Sequence, residues 1–88
     1  MWKIKLSNDA TKQVEKLDAT TKKRIVKFII DLAAVDNPRQ QGKALKGKLS
    51  NYWRYRVGDF RIICEIIDNE IAIVVIEIGH RKEIYRKW

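Results

Sequence analysis

The sequence predicts a small α+β domain in the order β-α-α-β-β-β, with an antiparallel meander packed on a two-helix hairpin. Two observations lead there. The apolar spacing is two in WKIKL (residues 2–6) and three to four between Ala10 and Leu32, and beyond Tyr52 the chain turns to β-branched and aromatic runs. Turn signals at Gly58-Asp59 and Asp68-Asn69-Glu70 cut those runs into three strands. The 88 residues suffice for one core, so residues 1–88 are read as a single domain.

The first strand alternates apolar and basic residues, which turns Trp2, Ile4 and Leu6 inward. Ser7, Asn8 or Asp9 can cap a helix carrying Ala10, Val14 and Leu17 on one face. A second helix starts at Asp18 or at Thr20-Thr21, buries Ile25, Phe28, Ile29 and Leu32, and stops at Asp36-Asn37-Pro38. Arg39 to Ser50, with two glycines and four basic residues, reads equally as a loop or a short connecting helix. YWRYRV, FRIICEII and IAIVVIEI then form the meander.

The tight turn at Gly58-Asp59 pairs Val57 with Phe60 and sets Arg56 opposite Arg61, with Arg54 on the same face. Trp53, Tyr55, Val57, Phe60, Ile62, Cys64 and Ile66 point the other way, toward the helices. A three-residue loop at the second hairpin pairs Ile67 with Ile71 and Arg61 with Glu77, and gives the arginine face Ile63, Ile67, Ile71, Ile73 and Val75 as well. An Arg61–Glu77 ion pair would account for one arginine at a few tenths to ~1 kcal/mol. It leaves Arg54 and Arg56 unexplained.

The net charge of +8 is unevenly placed. Residues 1–38 carry eight Lys/Arg against five acids, residues 39–61 seven against one, and residues 62–88 four against five. A one-sign block of this kind predicts a polyanionic partner, with nucleic acid ahead of an acidic membrane or protein. No apolar run is long enough to span a bilayer and MWKIKLSND lacks the apolar centre of a signal peptide, so no membrane partner and a cytoplasmic location are expected. One cysteine and one histidine cannot form a metal cluster, so no metal and no other cofactor is expected, and Cys64 within IICEII reads as a buried structural thiol.

Like charges facing one another across strands destabilise a sheet, so Arg54, Arg56 and Arg61 are better explained by an anion that neutralises them. The last strand runs back toward this cluster and continues as GHRKEIYRKW, which brings His80 and Arg81 close, with Tyr85 one helical turn on. Lys43, Lys46 and Lys48 in GKALKGKLSN suit diffuse phosphate contacts, or are simply solvated loop charges.

ALKGKL, WRYRVGDFRI and IGHRKEIY in this order resemble the RelE/ParE superfamily of toxins from toxin–antitoxin pairs, over essentially the whole chain and most closely the RelE branch. The resemblance implies a toxin that enters the ribosomal A site and cuts messenger RNA, and a cognate antitoxin that wraps and silences it. By position it implies a catalytic set of Arg54 and Arg56 as the first basic pair, Arg61 and Arg81 on the phosphate, and Tyr85 as the C-terminal tyrosine. Departure from lysine at the first pair matters. Arginine donates well to a phosphorane but does not act as a base near neutrality, which leaves His80 as the one conventional base nearby, unless it is merely a surface residue. Tyr85 stacks on a base, orients the 2′-hydroxyl, or packs the C-terminal turn. The runner-up on the same fold is a non-catalytic, ParE-like inhibitor of DNA gyrase, and a plain RNA-binding module ranks third for want of an RNA-recognition signature.

Overall fold

A computed structural model describes residues 1–88. The chain runs through β1 (Lys3–Leu6), α1 (Asn8–Glu15), α2 (Ala19–Ala34), β2 (Lys43–Ala44), β3 (Tyr52–Val57), β4 (Phe60–Ile67), β5 (Ala72–His80) and α3 (Arg81–Lys87). Single 3₁₀ turns lie at Pro38–Gln40, Gly47–Leu49 and Asp68–Glu70. The α+β class and the meander are as expected. Beyond them the fold adds a two-residue strand before the meander and a helix after it.

The strands form one mixed sheet in the order β1-β5-β4-β3-β2. β1 runs parallel to β5, from Lys3 opposite Ala72 to Leu6 opposite Val75, while the other neighbours are antiparallel. This edge position leaves Leu6 39% exposed instead of inward, and only Ile4 of the strand, with Trp2 just before it, packs on the core.

Two side chains start the helices. The Ser7 hydroxyl accepts the Ala10 N–H at 3.0 Å, and Asp18 accepts the Thr21 N–H at 3.2 Å, satisfying donors that a first helical turn cannot. Ser7 also donates to the Ile76 carbonyl at 2.6 Å, and Gln13 of α1 accepts the Ile78 N–H at 2.7 Å. Where β1 runs out, α1 therefore completes the hydrogen bonding of β5.

One face of the sheet buries Tyr55, Ile62, Cys64, Ile73, Val75 and Ile78 against Ala10, Ile25, Ile29 and Leu32 of the helices. Each fully buried aliphatic chain contributes about 1.5–3 kcal/mol. Phe28 is only half-buried, its ring tilted on Tyr55 at 5.4 Å. The Tyr55 hydroxyl donates to the Pro38 carbonyl and so fastens the turn after α2 to the sheet. Burial pushes the Cys64 thiol up to about 12, in keeping with an unreactive core group.

The β4–β5 register differs from expectation in two places. The connection is one residue longer, so Ile67 pairs with Ala72, and Ile71 takes a left-handed conformation at φ 51°. A bulge follows: Cys64 pairs with Val75 but Ile63 with Glu77, leaving Ile76 as the extra residue. The longer turn swings Ile73 and Val75 to the helix side, into the main core. The bulge restores the original face, so Glu77 stays on the arginine side, but it lies opposite Ile63 while Arg61 meets Gly79. The Arg61–Glu77 pair is not formed.

Arg39–Ser50 is neither a plain loop nor a helix. Two 3₁₀ turns flank β2, in which Lys43 pairs with Arg54 and Ala44 with Trp53. Gly42 permits this approach. It has φ 74°, and a Cβ there would run into the Arg54 carbonyl oxygen and lie 2.8 Å from Trp53 Nε1. Gly47 has φ 66° but meets nothing within 4 Å. Gly42→Ala should cost about 2–4 kcal/mol, from overpacking added to the left-handed penalty, and Gly47→Ala about 1 kcal/mol. Urea unfolding of the two variants measures the difference, and equal losses would contradict the close approach.

Candidate functional site

On the face of the sheet away from α1 and α2, alternation along β3 presents Arg54 and Arg56, and the hairpin turn sets Arg61 of β4 opposite Arg56. Gly58 takes the left-handed conformation that a two-residue turn needs, at φ 58°. The chain then folds α3 back over this face. Arg81 N–H donates to the Asp59 carbonyl of the hairpin turn at 2.7 Å, which brings the first residue of α3 to the arginines.

Three further contacts hold α3 down. Ile84 packs on Gly79, where a Cβ would come within 3.2 Å of its Cδ1, and joins Ile63 and Leu45 in a second buried cluster. Glu77, only 9% exposed, takes the Lys87 ammonium at 2.9 Å and raises its pKa by hydrogen bond and charge. Trp88 meets the Tyr52 ring edge-on at 5.3 Å.

Between α3 and the sheet lies an open groove of about 870 Å³. Arg54, Arg56 and Arg61 line it from the sheet, and Arg81, Lys82, Tyr85 and Arg86 from α3. Leu45, Ile84 and Trp88 complete it as an apolar wall. No carboxylate lines it. The Arg61 guanidinium donates to the Gly58 and Phe60 carbonyls at 3.1 and 3.0 Å, which fixes its direction. Its pKa falls below the ordinary arginine value, first through burial and then through the charges of Arg56, Arg54 and Arg81, with Asp59 opposing. It stays protonated at neutral pH all the same. The Nε of Arg54 is buried without a hydrogen-bond partner. Such a cluster of unneutralised forks suits an anion, which would relieve the mutual repulsion and accept several charged hydrogen bonds at once.

Arg54, Arg56, Arg61, Arg81 and Tyr85 thus meet in one groove, Tyr85 with 85% of its surface exposed. His80 does not join them. It pairs with Phe60, its ring edge-on to that residue at 5.8 Å, and its Nδ1 accepts the Lys82 N–H at 3.3 Å as the cap of α3. Neighbouring residues of a strand face opposite ways, so Gly79 beside Arg61 commits His80 to the other side. Lys43 borders a smaller hollow beside Arg54 and Arg56, while Lys46 and Lys48 are exposed on the loop outside the groove. Sequence reading missed Lys82 and Arg86. Their signal is the i, i+4 spacing that sets them as a second row beside Arg81 and Tyr85, once α3 is drawn as a helix.

No group of histidine, cysteine or carboxylate side chains is placed to hold a metal ion. No helix is long and apolar enough to cross a membrane.

The chain belongs to the family described as the ParE toxin of type II toxin–antitoxin systems, parDE, whose model matches residues 4–85. It is 26% identical over 89 residues to toxin RelG of Mycobacterium tuberculosis, covering 98% of each chain. It is 27% identical over 79 residues to the mRNA interferase toxin RelE of Escherichia coli, covering 86% of this chain and 81% of that one. Among solved structures, the RelBE2 toxin–antitoxin complex of M. tuberculosis superposes with a TM-score of 0.81 at 25% identity, over 91% of both chains. The isolated E. coli RelE toxin superposes with a TM-score of 0.75 over the full length of both chains, and at 15% identity that likeness concerns the fold.

If the five arginines of the groove engage a single-stranded RNA, the logarithm of its binding constant should fall with the logarithm of salt at a slope of about −3.5. Arg61→Ala should bring the slope nearer zero by about 0.7. Fluorescence titration of a labelled oligonucleotide across salt concentrations reads both, and a slope unaltered in the variant would place the RNA elsewhere.

Proposed function

We propose that this chain is a metal-independent endoribonuclease that cuts messenger RNA in the ribosomal A site and so arrests translation. The observation that carries the reading is the groove itself, with five arginines, a lysine and an exposed tyrosine and no carboxylate among its lining residues. The similarity to a protein named as an mRNA interferase supports it. Its place of action is then the cytoplasm.

Cleavage of RNA by its own 2′-hydroxyl needs that hydroxyl in line with the phosphorus, the extra charge of the phosphorane stabilised, and the departing 5′-oxygen protonated. Arg61, held by two carbonyls, and Arg81, tied to the hairpin turn, are the preorganised donors for the phosphorane. Arg54 and Arg56 hold the flanking charge, and Tyr85 offers an open ring face for an unstacked base. Lys43, Lys46 and Lys48 add contacts to ribosomal or messenger phosphates outside the groove. His80 caps α3 outside the groove, and nothing in the groove is a base of ordinary strength near neutrality. Deprotonation of the 2′-hydroxyl is then left to water, and in-line geometry imposed by the ribosome carries much of the rate.

A cognate antitoxin belongs to this reading, since related toxins from M. tuberculosis, E. coli and Pyrococcus horikoshii were solved as RelB–RelE-type complexes. A groove without carboxylates calls for an acidic partner. The gyrase reading draws on the matching family model, which is named for ParE. It gives the arginine groove no chemical task.

The protein should cut translated messenger at ribosome-bound codons and leave naked RNA nearly intact. Equal cleavage of the two would overturn the ribosome-dependent mechanism, and inhibited supercoiling without RNA cuts would select the gyrase reading. With ribosomes saturating, Arg61→Ala and Arg81→Ala should each lose about 2–4 kcal/mol of transition-state stabilisation, or about 30- to 1000-fold in single-turnover rate. Lys46→Ala should weaken binding and spare that rate.

A further inference from the structure

The proposed reaction needs a proton for the 5′-oxygen, and the arginines that dominate the groove do not release one near neutral pH. Two groove residues can exchange protons, Lys82 and Tyr85. Both are exposed, but their places on α3 differ. Tyr85 lies a turn along α3 and is 85% exposed, with an open ring face suited to stacking. Lys82 lies in the first turn of α3, directly after Arg81, and its backbone is pinned by the His80 Nδ1 bond at 3.3 Å. No acid claims its ammonium. The ion pairs of the protein are Lys5–Glu70, Lys27–Asp31, Arg39–Asp68 and Lys87–Glu77, and none involves a residue of the groove.

We propose that Lys82 is the proton donor to the departing 5′-oxygen, a role that rests on the nuclease reading and places proton transfer on α3 rather than on the arginine pair of β3. As the 2′-oxygen forms its bond to phosphorus and releases its own proton to water, the P–O5′ bond breaks and its electron pair goes to O5′. Lys82 Nζ gives O5′ a proton, keeps the N–H electron pair, and regains a proton from solvent. The products are a 2′,3′-cyclic phosphate and a free 5′-hydroxyl. Arg81, one residue away, stabilises charge on the non-bridging oxygens and transfers no proton.

The test compares two ribosome-bound messengers, one with an ordinary scissile phosphodiester and one with sulfur in place of the 5′-oxygen, whose thiolate departs without a proton. Lys82→Arg keeps the positive charge but cannot donate at neutral pH. It should cut the oxygen substrate about 100-fold or more slower than the parent protein and the sulfur substrate at close to the parent rate. Arg81→Ala should slow both substrates alike. Parent-like cleavage of the oxygen substrate by Lys82→Arg, or an equal loss on both substrates, would overturn the proposal while leaving the nuclease reading intact. Sulfur rescue of Tyr85→Phe in place of Lys82→Arg would overturn it in favour of the tyrosine. A parent protein that cuts neither messenger overturns the nuclease reading and this one together.

Discussion

Glu77 and Lys87, joined at 2.9 Å beneath and along α3, hold together what the charges of the groove would separate. Arg81 and Arg86 on the helix face Arg54, Arg56 and Arg61 on the sheet, and nothing lining the space between neutralises them. Left to those charges alone, α3 would lift away. Ile84 seated on Gly79 and the Arg81–Asp59 backbone bond add a packed contact and a directional one to the ion pair. The repulsion is therefore held in place by these contacts, and an anion set among the guanidinium groups would relieve it.

The same clamp depends on an irregularity in the sheet. Had β4 and β5 kept the longer turn without the bulge, Glu77 would face α1 and α2, and the Lys87 bridge could not form. The extra residue Ile76 brings it back, and the Ser7 hydroxyl on the Ile76 carbonyl ties that bulge to the cap of α1. A single serine thus links the start of the first helix to the strand that supports the last one.

Much of this was legible in the sequence. The inward residues of β3 and the Arg56–Arg61 pairing follow from short-range rules, because a two-residue turn leaves one register open, whereas Ser7 and Asp18 were each one of several candidate caps until the structure selected them. The β4–β5 register was not legible, since Asp68-Asn69-Glu70 marks a turn without fixing its length, and a bulge inside an apolar run leaves no mark in composition. The parallel place of β1 beside β5 and the short strand β2 rest on long-range pairing that periodicity does not encode. At the site, Arg54, Arg56 and Arg61 could be read from alternation alone. His80 could not be placed, because its side depends on the same uncounted residues, and Lys82 and Arg86 become visible only when the C-terminal stretch is drawn as a helix.

The parallel pairing of β1 with β5 also orders the events of synthesis. The N-terminal strand finds its sheet partner only in Ala72–Val75, the last strand made, and the groove draws Arg81 to Trp88 from the residues that follow. A growing chain that has emerged only as far as β4 holds an incomplete sheet and three of the groove's five arginines, with no α3 to face them. The two walls of the groove therefore come together only once α3 has folded back onto the finished sheet.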